Sequence, residues 1–191
     1  MLSLIEQDHK KVEQLLNVLT KQLAQLQSQQ HSINYVLMGD IVNYLRNYID
    51  RYHHPKEDLI YAYYLEYYVA DAQMSNRLAF EHQRLNFISR QLAHSLSLIQ
   101  LDSVTPVDEF SERLQEFISE QRAHIQFENS MVLPLIVKTF SPDDWCHIEH
   151  LWKHGDLQDA NAYVLFSEVY NTLVERIEAA GLATSGVNRV A

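Results

Sequence analysis

Apolar positions recur at three- and four-residue intervals along most of the chain, the spacing that lines one buried face of a helix. From Ser3 to Gln29 the stripe is Ile5, His9, Val12, Leu16, Leu19, Leu23 and Leu26, and Ser3 with Glu6 predicts a capping box at its start. A second stripe begins near Ser32 and runs through Met38, Val42, Leu45, Ile49, His53, Glu57, Ile60 and Tyr64. Pro55 lies inside it and predicts a kink or bulge, because proline lacks the backbone donor and crowds the preceding turn. The stripe continues in register beyond Pro55, so the helix is expected to go on. A third helix is expected from Asp71 to Leu101, marked by Met74, Leu78, His82, Leu85, Leu92, Leu96 and Ile99, with Ser89 interrupting.

Thr105-Pro106 followed by Asp108-Glu109 predicts the cap, first turn and acidic start of a fourth helix. Its stripe is Phe110, Leu114, Phe117, Gln121, His124, Glu128, Met131 and Leu135, and Pro134 is expected to bend or end it. Ser141-Pro142-Asp143-Asp144 opens a shorter fifth helix through Trp145 and Trp152, and a last helix covers Asp159 to Ala179. The pattern predicts an all-α chain. An up-down-up-down antiparallel four-helix bundle fills residues 1–140, a C-terminal helical extension over 141–180 packs on it, and 181–191 form a loose tail.

The stripes carry polar residues that a core does not need. His53–Glu57 and His124–Glu128 are two His-x-x-x-Glu steps, each placing an imidazole and a carboxylate one turn apart on one face. His9 and His82 stand on the other two stripes. If the helices alternate in direction, side chains at one height are equally far from a shared turn. With turns near residues 31 and 103, His9 and His53 both stand 22 residues away (31 − 9, 53 − 31), and His82 and His124 both stand 21 away (103 − 82, 124 − 103). That is roughly 32 Å at a rise of about 1.5 Å per residue. About the turn near residue 69, His53 and His82 stand 16 and 13 residues away, a difference of about one helical turn. The four histidines therefore fall at one level.

Four imidazoles and two carboxylates exceed the roughly four ligands of a structural zinc and favour a pair of first-row metal ions. Two glutamates can bridge the pair and an oxo or hydroxo group can complete it. Six side chains leave positions open for O2, NO or peroxide. Burying Glu57 and Glu128 without a cation would be costly. His54 and Asp58 form a second pair one residue out of register, and the stripe favours His53 and Glu57 over them.

The segments EQDHKKVEQLL, YHHPKEDLIY, EHQRL and HIQFENSMVLP resemble the four motifs of the hemerythrin-like family, also called the HHE cation-binding domain, across about residues 3 to 139. The resemblance implies a four-helix bundle with a non-haem di-iron centre. Carried over motif by motif, it implies the metal ligands His9, His53, Glu57, His82, His124 and Glu128, with zinc or manganese as substitutes for iron. Oxygen carriers of the family have a second histidine four residues after that of the third helix, and Asn86 stands there. They also end on a His-x-x-x-x-Asp step, where this chain has His-x-x-x-Glu. The set resembles instead the branch linked to O2, NO or redox sensing and stress response. Iron-centre repair or peroxide and NO reduction is the alternative, and O2 storage a further one. Binding is favoured over turnover.

Other candidates carry less. Glu81, beside His82, can orient a ligand imidazole or simply face solvent. Tyr61, Tyr63, Tyr64, Tyr67 and Tyr68 form an aromatic cluster that reads as packing or a homodimer surface, with Tyr64 the best placed for a role near the metals. His147, His150 and His154 share a helix face but lack an evident carboxylate partner. The formal net charge of −10 disfavours nucleic acid and anionic membranes as partners. No run of about 18 apolar residues is present, so no membrane span is expected. A single cysteine, Cys146, excludes an internal disulfide and points to the cytoplasm.

Overall fold

A computed structural model describes residues 1–28, 33–68, 72–101, 106–155 and 160–182, and these are helical almost throughout, with no strand among them. Helix α1 (Leu2–Gln27) is followed by α2 (Tyr35–Tyr48), which passes through a π-helical turn (Ile49–His53) into α3 (His54–Tyr68). Helix α4 (Ala72–Gln100) comes next. Helix α5 (Val107–Phe127) then leads through a second π-helical turn (Glu128–Val132) into α6 (Leu133–Thr139). Two further helices, α7 (Pro142–His154) and α8 (Ala160–Ala179), complete the fold. The main packings are α2 on α4, α4 on α5 and α1 on α5, with α8 against α2 and α7 against α3.

The helix ends show how local chemistry sets the boundaries. The expected box at Ser3 is absent: α1 begins at Leu2 with Met1 as its cap and no side-chain cap bond, which places Ser3 inside the first turn. The Met1 ammonium bonds Glu149 Oε1 of α7 at 2.8 Å instead. Helix α2 starts at Tyr35, where the Asn34 side chain accepts the Leu37 N–H at 2.9 Å, and Asn34 N–H reaches Gln22 Oε1 at 2.9 Å. Pro106 is the cap of α5 rather than its first-turn residue, and the expected Thr105 cap lies outside the described residues, as do Ser32, Asp71 and Asp159. Ser141 and Asp144 form a reciprocal capping box at the start of α7. Helix α8 ends at Ala179 and is followed by Gly181, whose φ of +67° only glycine adopts freely, and Leu182 N–H returns to Ile177 O at 3.0 Å. Leu182 is buried, so the segment expected to be loose begins with a docked residue, and its remainder, 183–191, lies outside the described residues.

Both prolines that threatened a helix follow a π-helical turn by two residues. The widened turn takes up the missing donor: His54 N–H bonds Ile49 O, and Leu133 N–H bonds Glu128 O, each spanning five residues. A π turn moves the backbone carbonyl out of the way of the pyrrolidine ring, so Pro55 and Pro134 do not end their helices. Past Pro55 the expected stripe continues through Glu57, Ile60 and Tyr64, whereas past Glu128 it shifts by one position, exposing Met131 and Leu135 and burying Val132 and Ile136. Such turns also re-aim the side chains they carry, and these carry His53 and Glu128.

The interior consists of two apolar clusters. One contains Val12, Ile49, Leu85 and Ile125 with the cores of α2 and α8, and the other contains Ile5, Ile60, Leu78 and Val132 with Phe140 and Ile148. Each cluster takes residues from the same long helices. Along α1 the chain passes from Ile5 to Val12 across His9, and along α4 from Leu78 to Leu85 across His82. The polar residues therefore occupy a layer between two apolar cores. Each fully buried aliphatic side chain in those cores contributes roughly 1.5–3 kcal/mol.

Candidate metal centre

His9 projects from α1, His53 from the end of the first π turn, His54 and Glu57 from the start of α3, His82 from α4, His124 from α5 and Glu128 from the second π turn. All seven are buried, and both carboxylates have no exposed surface. They form two groups, His54–Glu57–His82–His124 and His9–His53–Glu57–Glu128, and the donor atoms of each group lie within 4.8 Å of one another. Glu57 belongs to both. The structure thus brings together all six residues expected from the sequence and adds His54.

The Nε2 atoms converge on the carboxylates. His9 Nε2 lies 3.2 Å from Glu57 Oε1 and 3.3 Å from Glu128 Oε2; His53 Nε2 lies 3.2 Å from Glu57 Oε1; His124 Nε2 lies 3.4 Å from Glu128 Oε2. His82 Nε2 stands 3.7 Å from Glu57 Oε2 and 3.9 Å from Glu128 Oε1. The His54 ring stacks on that of His82 at 3.9 Å between centroids.

The opposite ring nitrogens face outward to polar partners. His9 Nδ1 bonds Asn129 Oδ1 at 2.9 Å, His82 Nδ1 bonds Asp58 Oδ1 at 2.9 Å, and His124 Nδ1 bonds Glu81 Oε2 at 2.9 Å. His53 Nδ1 lies 3.5 Å from Asp8 Oδ2, and His54 Nδ1 lies 4.0 Å from Asp50 Oδ1. Asp8 is itself buried and held by the Tyr48 hydroxyl at 2.7 Å and Lys56 Nζ at 3.4 Å. A carboxylate or amide oxygen on Nδ1 favours a proton there, so that an imidazole giving up its second proton would present the Nε2 lone pair to a metal.

Burial and charge act against each other in this layer. Burial lowers the pKa of His9, but the adjacent carboxylates of Glu128 and Glu57 outweigh it and raise it to about 10. For His82 burial is likewise overcome, by Asp58 and then Glu128, and its pKa also rises to about 10. His54, by contrast, is driven well below its ordinary value by burial and by the neighbouring His82 and His53, which leaves it neutral. Burial would raise the Glu128 carboxyl, yet His82 and His9 hold it well below the usual range.

The donor set fits metal ions on the evidence of its unfilled valences. Glu57 Oε2, Glu128 Oε2, His82 Nε2, His124 Nε2 and His53 Nδ1 are buried without a hydrogen-bond partner among the described residues. Four of these atoms are on the inward side of the site. An orphaned buried carboxylate oxygen is costly, and a cation is the partner that would satisfy two carboxylates and several imidazoles at once.

Sequence reasoning passed over His54 because it was paired with Asp58 as a rival register. Its usable signal was the three-residue step to Glu57, which also shares a helix face. Asp58 turns instead to His82. Tyr61, four residues beyond Glu57, is the tyrosine that reaches the centre: its hydroxyl donates to Glu128 Oε1 at 2.7 Å. Tyr64 instead packs on Phe140 and Tyr68. Tyr63 and Tyr68 donate to Asp144 of α7, so much of the tyrosine cluster is covered within the chain. His147, His150 and His154 are exposed and join no group of potential ligands among the described residues. No helix among the described residues is long and apolar enough to cross a membrane.

The family model for the hemerythrin HHE cation binding domain matches residues 1–136. No curated protein and no solved structure matches the chain.

Proposed function

Because the chain belongs to the hemerythrin HHE cation-binding family, with the matched span covering well over half of it, we propose that it is a non-haem di-iron protein that senses O2, NO or the cell's redox state. The observation that carries this reading is the pair of four-residue donor groups sharing the fully buried Glu57. A shared carboxylate is the device that holds two cations side by side, and the histidines on either side would cap them. In this reading His9, His53, Glu57, His82, His124 and Glu128 are ligands, and His54 joins them. When bound, a pair of irons supplies one-electron chemistry and sites for diatomic ligands or peroxide. The chain's own residues supply the rest. The Nδ1 partners fix each imidazole, Tyr61 steadies Glu128, and the apolar clusters on both sides limit the access of bulk water.

Asn86 supports sensing over oxygen carriage. Its side chain bonds Asp50 rather than entering the centre, so the position that an oxygen carrier fills with histidine is withdrawn. We also infer that the four long helices alternate in direction. Helices α1 and α4 meet the Ile5 cluster before the Val12 cluster, whereas α2–α3 and α5–α6 meet them in the reverse order.

Metal analysis with an absorption spectrum tests the reading. The expected result is about two irons per chain with oxo-to-iron charge-transfer bands that change on exposure to O2 or NO. Chain purified anaerobically from iron-replete cells without iron would overturn it. His124→Ala and Glu128→Ala should each cut metal content sharply, and normal loading in both would refute the ligand set. Steady turnover of peroxide or NO would shift the assignment from sensor to enzyme.

A further inference from the structure

Nine arginines occur in the sequence, and Arg189 lies outside the described residues. Of the other eight, five hold ion pairs: Arg77 with Glu81, Arg84 with Glu116 and Glu120, Arg113 with Glu109, Arg122 with Glu13 and Arg176 with Asp40. The three with no close ion pair among the described residues are Arg46, Arg51 and Arg90, and all three line one cleft of about 600 Å³ between α4 and the end of α2 with the π turn that follows it. In a chain with a formal net charge of −10, these guanidinium groups gather in one place without a close ion pair, Arg90 and Arg46 acting on the carboxylate of Asp50 only at longer range.

The same cleft contains Asn47, Asp50 and Asn86. Asp50 is its one carboxylate. Its Oδ2 accepts from the Asn86 amide and its Oδ1 faces His54 Nδ1 at 4.0 Å, so both oxygens have neighbours on the inner side. Three cations and one such anion leave a net positive charge in the cleft. Asp50 and Asn86 also form the outer wall of a second chamber of about 300 Å³, lined by His54, Pro55, Asp58, His82 and Gln83. The basic cleft and the histidine face of the centre thus share a wall.

We propose that Arg46, Arg51 and Arg90 form a binding site for a small oxyanion at the mouth of the chamber that reaches His54 and His82. Guanidinium forks match the oxygen pairs of oxyanions, and the chain's overall negative charge repels polyanions, which confines the ligand to a small one. The site would concentrate an anionic reactant or product beside the centre. Its functional meaning rests on the di-iron reading, whereas its anion affinity does not.

Calorimetric titration of the purified full chain with sulfate, a redox-inert and weakly metal-binding oxyanion, tests this at low ionic strength. One saturable site per chain is expected, weakening with added salt. Arg46→Gln combined with Arg90→Gln should weaken it by about tenfold or more, while Arg84→Gln, which removes an ion-paired arginine, leaves it unchanged. An unaltered affinity in the double variant, or the absence of saturable binding in the native chain, overturns the proposal. So does sulfate binding that disappears when metal is stripped and the helical circular dichroism is intact, because the anion would then have been held by the metal. A chain that contains no iron yet binds sulfate as expected would sink the di-iron reading and leave this site standing.

Discussion

The imidazoles of His9, His82 and His124 are hydrogen-bonded to outward partners at Nδ1, and those of His53 and His54 face Asp8 and Asp50 at longer range. The partners are not interchangeable. Asp8 is buried and draws on Tyr48 and Lys56 as well as His53, which hold its carboxyl below the ordinary range against the upward push of burial. Asp58 is exposed and binds only one face of His82. Asp8→Asn and Asp58→Ala should each lower metal affinity by roughly 10–100-fold, the usual effect of losing a carboxylate behind a ligand histidine. Competition with a chromophoric chelator measures this, and unchanged affinity in both variants would mean that packing alone orients the rings. The sequence made His9, His53, His82 and His124 legible because each interrupts an apolar stripe. The groups behind them were less so. Asp8, Asp58 and Asn129 lie off the stripes, and their roles depend on which helix packs alongside, a relation that periodicity does not encode.

At the scale of the element, the π turns and the docking of α7 were the least legible features. Proline announced a disturbance at residues 55 and 134, but whether a helix kinks, ends or widens depends on the packing that pulls it straight. Here the apolar faces on both sides of each proline are buried, and widening preserves both. Helix α7 docks through Asp144, whose carboxylate accepts from Tyr63 at 2.6 Å and Tyr68 at 2.5 Å as well as capping its own helix at Ser141. Those bonds, Ser141 first, hold Asp144 below its ordinary value of 3.8, so its contribution is present above that value and is lost as acid protonates it. The bond to Asp144 pushes Tyr63 up to about 12 from 10.0, so that contribution is present below pH 10.0 and is lost as pH rises towards about 12. The α7 contact should hold between these limits and loosen on either side. Trp145, whose ring lies 5.2 Å from Phe140, reports on the contact, and its emission in a Trp152→Phe variant should change at both extremes. A signal flat to beyond the upper limit would show that the tyrosine bonds do not hold α7 in place.

For the whole molecule, the polar layer lies between two independent apolar cores, which decides what metal removal can do. The cores do not depend on the metal, so a stripped chain should keep its helices at room temperature. It should still lose thermal stability, because a ligand bound only by the folded form adds stability that grows with its concentration. Chelation should lower the midpoint of thermal unfolding, and added metal should restore it in proportion to the logarithm of its concentration. Identical midpoints would mean that the site does not hold metal, and loss of helicity on chelation would mean that the cores do not stand alone. The grouping of the four histidines at one height was legible at this scale from counts along the sequence, since helices of matched length bring equal counts to equal heights. The covering of the tyrosine cluster by α7 was not legible, because nothing in the α7 sequence specifies which face of the bundle it meets.

Glu57 contributes to both donor groups, and that membership ties the two places together thermodynamically. In the proposed di-iron reading, a cation on one side would fix the carboxylate that the other side also uses, and by reciprocity each cation would change the affinity for its companion by the same factor. Where the gain from that fixing exceeds the repulsion between the cations, the factor favours filling both. Titration of the empty chain should pass from none to two with few singly filled molecules between. In the proposed di-iron reading, such pairwise filling would leave the protein mostly full or mostly empty when iron is scarce, and the fraction in either form would then be a steep readout of iron supply.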